Sequence, residues 1–152
     1  MPIPNLEVNG ELPVGIHIAT IEEVEDRFGK LNDRRKLLMS GLKNALGQFE
    51  KVEVKRVFVD GSFTTDKEEP NDIDGCWATS GVKEENLHLL DEDFWKFGSV
   101  EEFQKCREKI VKKYGLDFYI AEHKEGSTNK PFPEFFQTDR NGDAKGIIQI
   151  NL

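Results

Sequence analysis

Apolar residues recur every three or four positions in three stretches of the chain, which predicts three amphipathic helices. The longest stretch covers residues 32–49, where Leu42 and Leu46 belong to the apolar face. Two shorter helices are predicted over residues 20–29 and 99–115. Each begins with a hydroxyl residue that is followed three positions later by glutamate, the capping-box pattern, and each ends at a glycine.

Four further stretches are rich in β-branched and other apolar residues, or alternate apolar with polar positions, and they predict strands. They cover residues 52–59, 72–78, 116–121 and 146–152. Prolines and glycines over residues 1–18 predict an irregular N-terminal arm, and residues 123–145 predict a long loop. The order helix, helix, strand, strand, helix, strand is typical of an α/β or α+β domain with a small mixed sheet and flanking helices.

Composition narrows the partners that such a domain can have. The 152 residues suit one domain, and 29 acidic against 21 basic residues give a formal net charge of −8. Because broad, nonspecific nucleic-acid binding depends on a basic face, the surplus of acids argues against that class of function.

Features of a secreted or membrane protein are missing from the sequence. No apolar run reaches the length of about 18 residues that a membrane-spanning helix needs, and residues 1–13 lack the pattern of a signal peptide. Cys76 and Cys106 are too few for a disulfide framework or a zinc site, and we expect them to be small core residues. We therefore expect no membrane association and a cytoplasmic location.

Residues 57–74, VFVDGSFTTDKEEPNDID, contain the most informative polar cluster. An apolar strand leads into Gly61 and Ser62, where a missing Cβ lets a ligand approach and where backbone N–H groups and a hydroxyl suit phosphate oxygens. Asp72 and Asp74 are two positions apart, so on a strand they point to the same face. Paired carboxylates repel each other unless a cation lies between them, and their oxygens suit Mg²⁺ or Mn²⁺.

The order apolar strand, Gly-Ser, about ten residues and Asp-x-Asp resembles the nucleotidyltransferase superfamily. DNA polymerase beta, the aminoglycoside nucleotidyltransferases and the minimal nucleotidyltransferases of bacterial toxin–antitoxin pairs belong to it. The segment DGSFTTDKEEPNDID is also similar to the corresponding sequence in a group of small bacterial and phage proteins. The resemblance covers residues 31–121, the expected core of a nucleotidyltransferase-like domain spanning residues 1–152. The arm precedes this core, and residues 123–152 follow it as a C-terminal loop and strand.

The resemblance implies a role for each matched residue. Asp117, at the start of a later strand, matches the third carboxylate of the family and would act as a metal ligand or as a general base. The implied sites are Gly61, Ser62 and Lys67 for the nucleotide, and Asp72, Asp74 and Asp117 for catalysis and metal binding. The implied activity moves a nucleoside monophosphate from a nucleoside triphosphate to a hydroxyl of a protein, an RNA or a small molecule, with two divalent ions, Mg²⁺ or Mn²⁺.

Departures from the family pattern support a second interpretation. Asp60 stands before the Gly-Ser turn, where the family more often has an apolar residue; no arginine follows in the loop, and no helical acceptor domain follows the core. The alternative is a non-catalytic, nucleotidyltransferase-like antitoxin or regulatory module that acts by contact. Both interpretations expect a partner protein, such as the small helical toxin with which minimal members of the family often pair.

Ordinary structural explanations exist for the individual features. Turns favour Gly, Ser, Asn and Asp, so the cluster also suits a surface hairpin, and Asp117 also suits the start of an ordinary strand. Lys67 suits either phosphate contact or solubility, and a hairpin at residues 141–142 explains Arg140 and Lys145 without a ligand. Acids expected to be solvated loop charges are Asp60, Asp66, Glu68 and Glu69. Aromatic residues expected in the core, with a base-stacking or partner surface as the alternative, are Trp77, Phe132, Phe135 and Phe136.

Overall fold

The structure is a computed structural model that describes residues 3–152, and these residues form a mixed α+β fold, as predicted. The strands are β1 (Gly15–Ala19), β2 (Arg56–Asp60), β3 (Ile73–Trp77), β4 (Leu116–Ile120) and β5 (Gly146–Asn151). They build a five-stranded sheet in the order β1-β5-β2-β3-β4. β1 runs parallel to β5 and β3 parallel to β4, whereas β2 is antiparallel to both of its neighbours.

Three of the helices begin at side-chain caps, of which the sequence predicts two, Thr20 and Ser99. Thr20, Asn32 and Ser99 each accept a hydrogen bond from the backbone N–H three residues on. The helices are α1 (Ile21–Val24), α2 (Asp33–Lys51), α3 (Val100–Tyr114) and α4 (Phe132–Phe135). A π-helical stretch (Glu25–Gly29) continues α1, and 3₁₀ turns cover Gly61–Thr64, Glu84–Leu89 and Glu92–Phe94. Within residues 3–152, none of the helices is long and apolar enough to cross a membrane.

The N-terminal arm is more regular than its prolines and glycines predict. Of residues 1–18, positions 1 and 2 lie outside the described range, and the chain from Gly15 onwards forms β1. Ile16 lies opposite Ile147 of β5, so the two ends of the chain pair with each other and complete the sheet. The prediction of a wholly irregular arm was therefore wrong, because parallel pairing between distant segments leaves no local sequence pattern.

Two other boundaries differ from the prediction. α2 continues to Lys51, and β2 begins only at Arg56 rather than at residue 52. Val52 and Val54 alternate like strand residues, but both are buried in a turn whose central residue has a φ of +66°. The predicted loop over residues 123–145 also contains the short helix α4.

The two faces of the sheet bury different sets of side chains. The first face packs with α2 in the larger core, and its buried residues include Val57, Val59, Ile73, Trp77 and Ile148. The second face packs with the segment after β4 in a smaller cluster that contains Phe58, Cys76, Phe132 and Phe136. The aromatic core residues are thus as predicted, except that Phe135 is only half-buried, and Cys106 is likewise only partly buried.

Arg35, in the first turn of α2, is only 1% exposed although its guanidinium is charged. Its N–H groups donate to four backbone carbonyls at distances between 2.5 and 3.1 Å. These carbonyls belong to Phe28, Phe63, Thr65 and Lys67. Burial holds the pKa of Arg35 below its ordinary value. Because buried polar groups need hydrogen-bond partners, the guanidinium and the loop after β2 fix each other in place.

Arg35→Met is therefore expected to lower the free energy of unfolding by at least about 3 kcal/mol, because several buried carbonyls lose their donor together. Urea unfolding at neutral pH measures the loss. Lys36→Met, an exposed position in the same helix turn, is the matched control and should change stability by no more than about 0.5 kcal/mol. A loss below about 1 kcal/mol for Arg35→Met would show that the loop does not depend on this contact.

Candidate functional site

Four aspartates, Asp60, Asp72, Asp74 and Asp117, lie close together at one end of the sheet. The strand register places Asp74 of β3 opposite Asp60 of β2 on one side and opposite Asp117 of β4 on the other. Asp72 lies two residues before Asp74 and directly precedes β3, rather than lying on the strand as predicted. Asp72, Asp74 and Asp117 can each offer one carboxylate oxygen, and these three oxygens lie within 4.8 Å of one another. The folded chain thus brings together the three acids that the sequence singled out.

The Gly-Ser turn borders this cluster. Gly61 directly follows β2 and has a φ of +78°, a conformation that favours glycine. A Cβ on Gly61 would lie 2.1 Å from a carboxylate oxygen of Asp74, so the missing side chain makes room for that acid. Ser62 is half-buried, and both residues line the same cleft as the three acids.

Asp60 is not the solvated loop charge that the sequence predicts. It ends β2, is 4% exposed and forms an ion pair with Lys145. Burial raises the pKa of Asp60, although Lys145 opposes the rise. The sequence missed this pair because Lys145 approaches Asp60 only after β5 has inserted beside β2, and nothing local indicates that pairing. The predicted hairpin at residues 141–142 is present, with Thr138 and Ala144 bridged across it, but it does not by itself account for Lys145, which pairs with Asp60.

Arg107 of α3 binds Asp117, the acid that lies next to Asp74 on the β4 side. Its Nε donates to Oδ1 of Asp117 at 2.5 Å, and its Nη2 donates to Oδ2 at 2.9 Å. This bidentate geometry fixes both oxygens of the carboxylate. The hydrogen bond to Asp117 raises the pKa of Arg107 above its ordinary value. Arg107 has no sequence signal of its own, because it lies on the half-exposed side of an amphipathic helix.

The two remaining acids, Asp72 and Asp74, have no directly paired base in the described part of the chain. Within residues 3–152, Lys145 pairs with Asp60 and Arg107 pairs with Asp117, whereas neither Asp72 nor Asp74 forms an ion pair. Burial raises the pKa of Asp74 to about 7, and the neighbouring carboxylates add to this rise. Burial and Asp117 also raise the pKa of Asp72. A divalent cation fits this donor set chemically, because all the ligands are carboxylate oxygens and the surplus charge is negative.

The acids open onto a cleft of about 1630 Å³. Its volume exceeds the range of roughly 300–1,000 Å³ that is typical of small-molecule sites, so it has room for more than one ligand. Tyr119 of β4 and Phe135 of the segment after β4 line the cleft with their aromatic rings. Basic side chains that line the cleft are Lys67, Lys124, Lys130, Arg140 and Lys145. Lys67 is exposed and thus accessible to a ligand in this cleft.

Comparison with known proteins gives one match. The model of a family of unknown function, DUF6932, matches residues 4–151, which is nearly the whole chain. No curated protein and no solved structure matches the chain.

Asp74→Asn is expected to change how stability depends on pH. In the metal-free protein the folded-state pKa of Asp74 is about 7, against an ordinary value of 3.8. Between these values the unfolded chain releases the proton and the folded chain keeps it, so stability falls as the pH rises. The variant lacks this loss, and its stability relative to the parent should increase by roughly 2–4 kcal/mol between pH 4 and pH 8.

Urea unfolding across this pH range, with a chelator present, measures the effect. Asp143→Asn changes an exposed acid outside the cluster and is the matched control, which should leave the pH dependence of the parent unchanged. Parallel pH curves for Asp74→Asn and the parent would contradict the burial and crowding of Asp74.

Proposed function

This chain belongs to the DUF6932 family, and we propose that it is a metal-dependent nucleotidyltransferase. It would move a nucleoside monophosphate from a nucleoside triphosphate to a hydroxyl of a protein, an RNA or a small molecule. The observation that carries the proposal is the convergence of Gly61–Ser62, Asp72, Asp74 and Asp117 on one cleft. Spacing along the sequence suggested these residues, and in the folded chain they line the same cleft.

The donor set supports Mg²⁺ or Mn²⁺ as the cofactor. Asp72 and Asp74 would hold the cation, because they are the acids of the cluster without an ion pair in the described part of the chain. Asp117 would contribute a third oxygen. When bound, divalent ions of this kind polarise phosphate oxygens and activate an attacking hydroxyl.

The chain's own residues have separate tasks in this proposal. Ser62 and Lys67 would contact the phosphates from the side of the Gly-Ser turn, and Lys67 would offset the charge of the leaving pyrophosphate. Arg107 orients the carboxylate of Asp117 through both oxygens. We assign Asp117 to cation binding, because one of its carboxylate oxygens lies within 4.8 Å of oxygens of Asp72 and Asp74.

The alternative remains a non-catalytic antitoxin or regulatory module. One observation favours it: Arg107 and Lys145 already compensate the charge of Asp117 and Asp60, two of the four acids, without any metal ion. Under both proposals we expect a cytoplasmic protein with a helical partner protein. The two differ over metal and nucleotide, because a module that acts by contact needs neither.

Thermal unfolding with Mg²⁺ and each of ATP, GTP, CTP and UTP tests the proposal. A ligand at about 100 times its dissociation constant stabilises the folded state by roughly 2.7 kcal/mol, which raises the unfolding midpoint by several degrees in a domain of this size. We expect this rise with at least one nucleotide and only when the metal is present. The double variant Asp72→Asn, Asp74→Asn should fold and show no rise.

Asp143→Asn, which keeps the cluster intact, is the matched control and should respond like the parent chain. A parent chain that no combination of metal and nucleotide stabilises would contradict the nucleotidyltransferase proposal. A rise that persists in the double variant would place the nucleotide away from these acids.

A further inference from the structure

Asp72 differs from the other two acids in how its position is fixed. Asp74 and Asp117 lie within β3 and β4, and the register of these strands holds them side by side. β3 begins at Ile73, so Asp72 lies outside the sheet at the end of the loop that starts at Gly61. The distance between the carboxylates of Asp72 and Asp74 therefore depends on what holds this loop.

The first turn of α2 holds the loop along its length. Arg35 binds the carbonyls of its first half, and Asn32 Nδ2 donates to the carbonyl of Glu68 at 2.6 Å. Arg34 binds the end of the loop: its Nε donates to the carbonyl of Pro70 at 2.9 Å, and its Nη2 donates to the carbonyl of Asn71. The two peptides directly before Asp72 are thus anchored by one guanidinium.

We infer that Arg34 is a positioning residue, which places the carboxylate of Asp72 beside that of Asp74 so that both can bind one divalent cation. This inference rests on the proposed function, since it assigns a role within the proposed cation site. Arg34 acts through the peptides of Pro70 and Asn71, and its rigid, planar fork suits two carbonyls at once. A lysine has a single nitrogen and cannot reproduce this fork.

Charge and geometry predict opposite effects for the loss of Arg34. Arg34 is a cation near Asp72, so its removal would strengthen the binding of another cation if charge alone mattered. If Arg34 positions Asp72, its removal weakens binding, because the carboxylate is no longer held in place. Residues that orient metal ligands typically contribute 10-fold to 100-fold to metal affinity, and we expect a loss of about tenfold.

Titration with Mn²⁺ alone, followed by the electron paramagnetic resonance signal of the free ion, tests the inference on the full chain. The variants are Arg34→Met and Arg34→Lys, and Lys36→Met in the same helix is the matched control. Both Arg34 variants should bind Mn²⁺ about tenfold more weakly than the parent. Lys36→Met should bind it with the parent's affinity. Because Arg34 is only half-buried, the variants should fold, and circular dichroism checks this.

The outcomes separate this inference from the proposal on which it rests. Unchanged or tighter binding in Arg34→Met, with the parent binding Mn²⁺, would overturn the positioning role and leave the cation site standing. Parent-like affinity in Arg34→Lys would show that only the charge matters, and would also overturn it. A parent chain that binds no Mn²⁺ would overturn both the cation site and the role of Arg34.

Discussion

The register of β2, β3 and β4 places Asp60, Asp74 and Asp117 in adjacent positions, and like charges that face each other across a sheet repel. Two basic residues from other parts of the chain offset this repulsion. β5 inserts beside β2 and brings Lys145 to Asp60, while α3 packs over β4 and brings Arg107 to Asp117. Asp74, in the centre of the row, forms no ion pair within residues 3–152, and burial together with the neighbouring carboxylates raises its pKa.

A second constraint comes from the loop between the Gly-Ser turn and Asp72. It contains few apolar side chains to anchor it, and its carbonyls instead accept hydrogen bonds from Asn32, Arg34 and Arg35 at the start of α2. A buried guanidinium is costly to desolvate, and here both terminal nitrogens of Arg35 donate to backbone carbonyls, which offsets that cost. The helix that forms much of the core therefore also determines the shape of the site.

Local patterns predicted much of this molecule. The caps at Thr20 and Ser99 depend only on neighbouring residues, and the close spacing of Asp72 and Asp74 is likewise visible along the chain. Pairing between distant segments left no such pattern. β1 pairs with β5 only after the chain has folded. The same holds for the ion pairs of Lys145 with Asp60 and of Arg107 with Asp117. The sequence therefore indicated the acids of the site but not the bases that compensate two of them.

We propose that Asp72 and Asp74 together bind a divalent cation in a nucleotide site. The most direct measurement is anomalous diffraction from crystals grown with Mn²⁺ and a non-hydrolysable nucleoside triphosphate. We expect an anomalous peak about 2–2.5 Å from carboxylate oxygens of both aspartates, with the triphosphate in contact with the metal. Bound nucleotide elsewhere on the protein, or Mn²⁺ only at other carboxylates, would contradict this assignment.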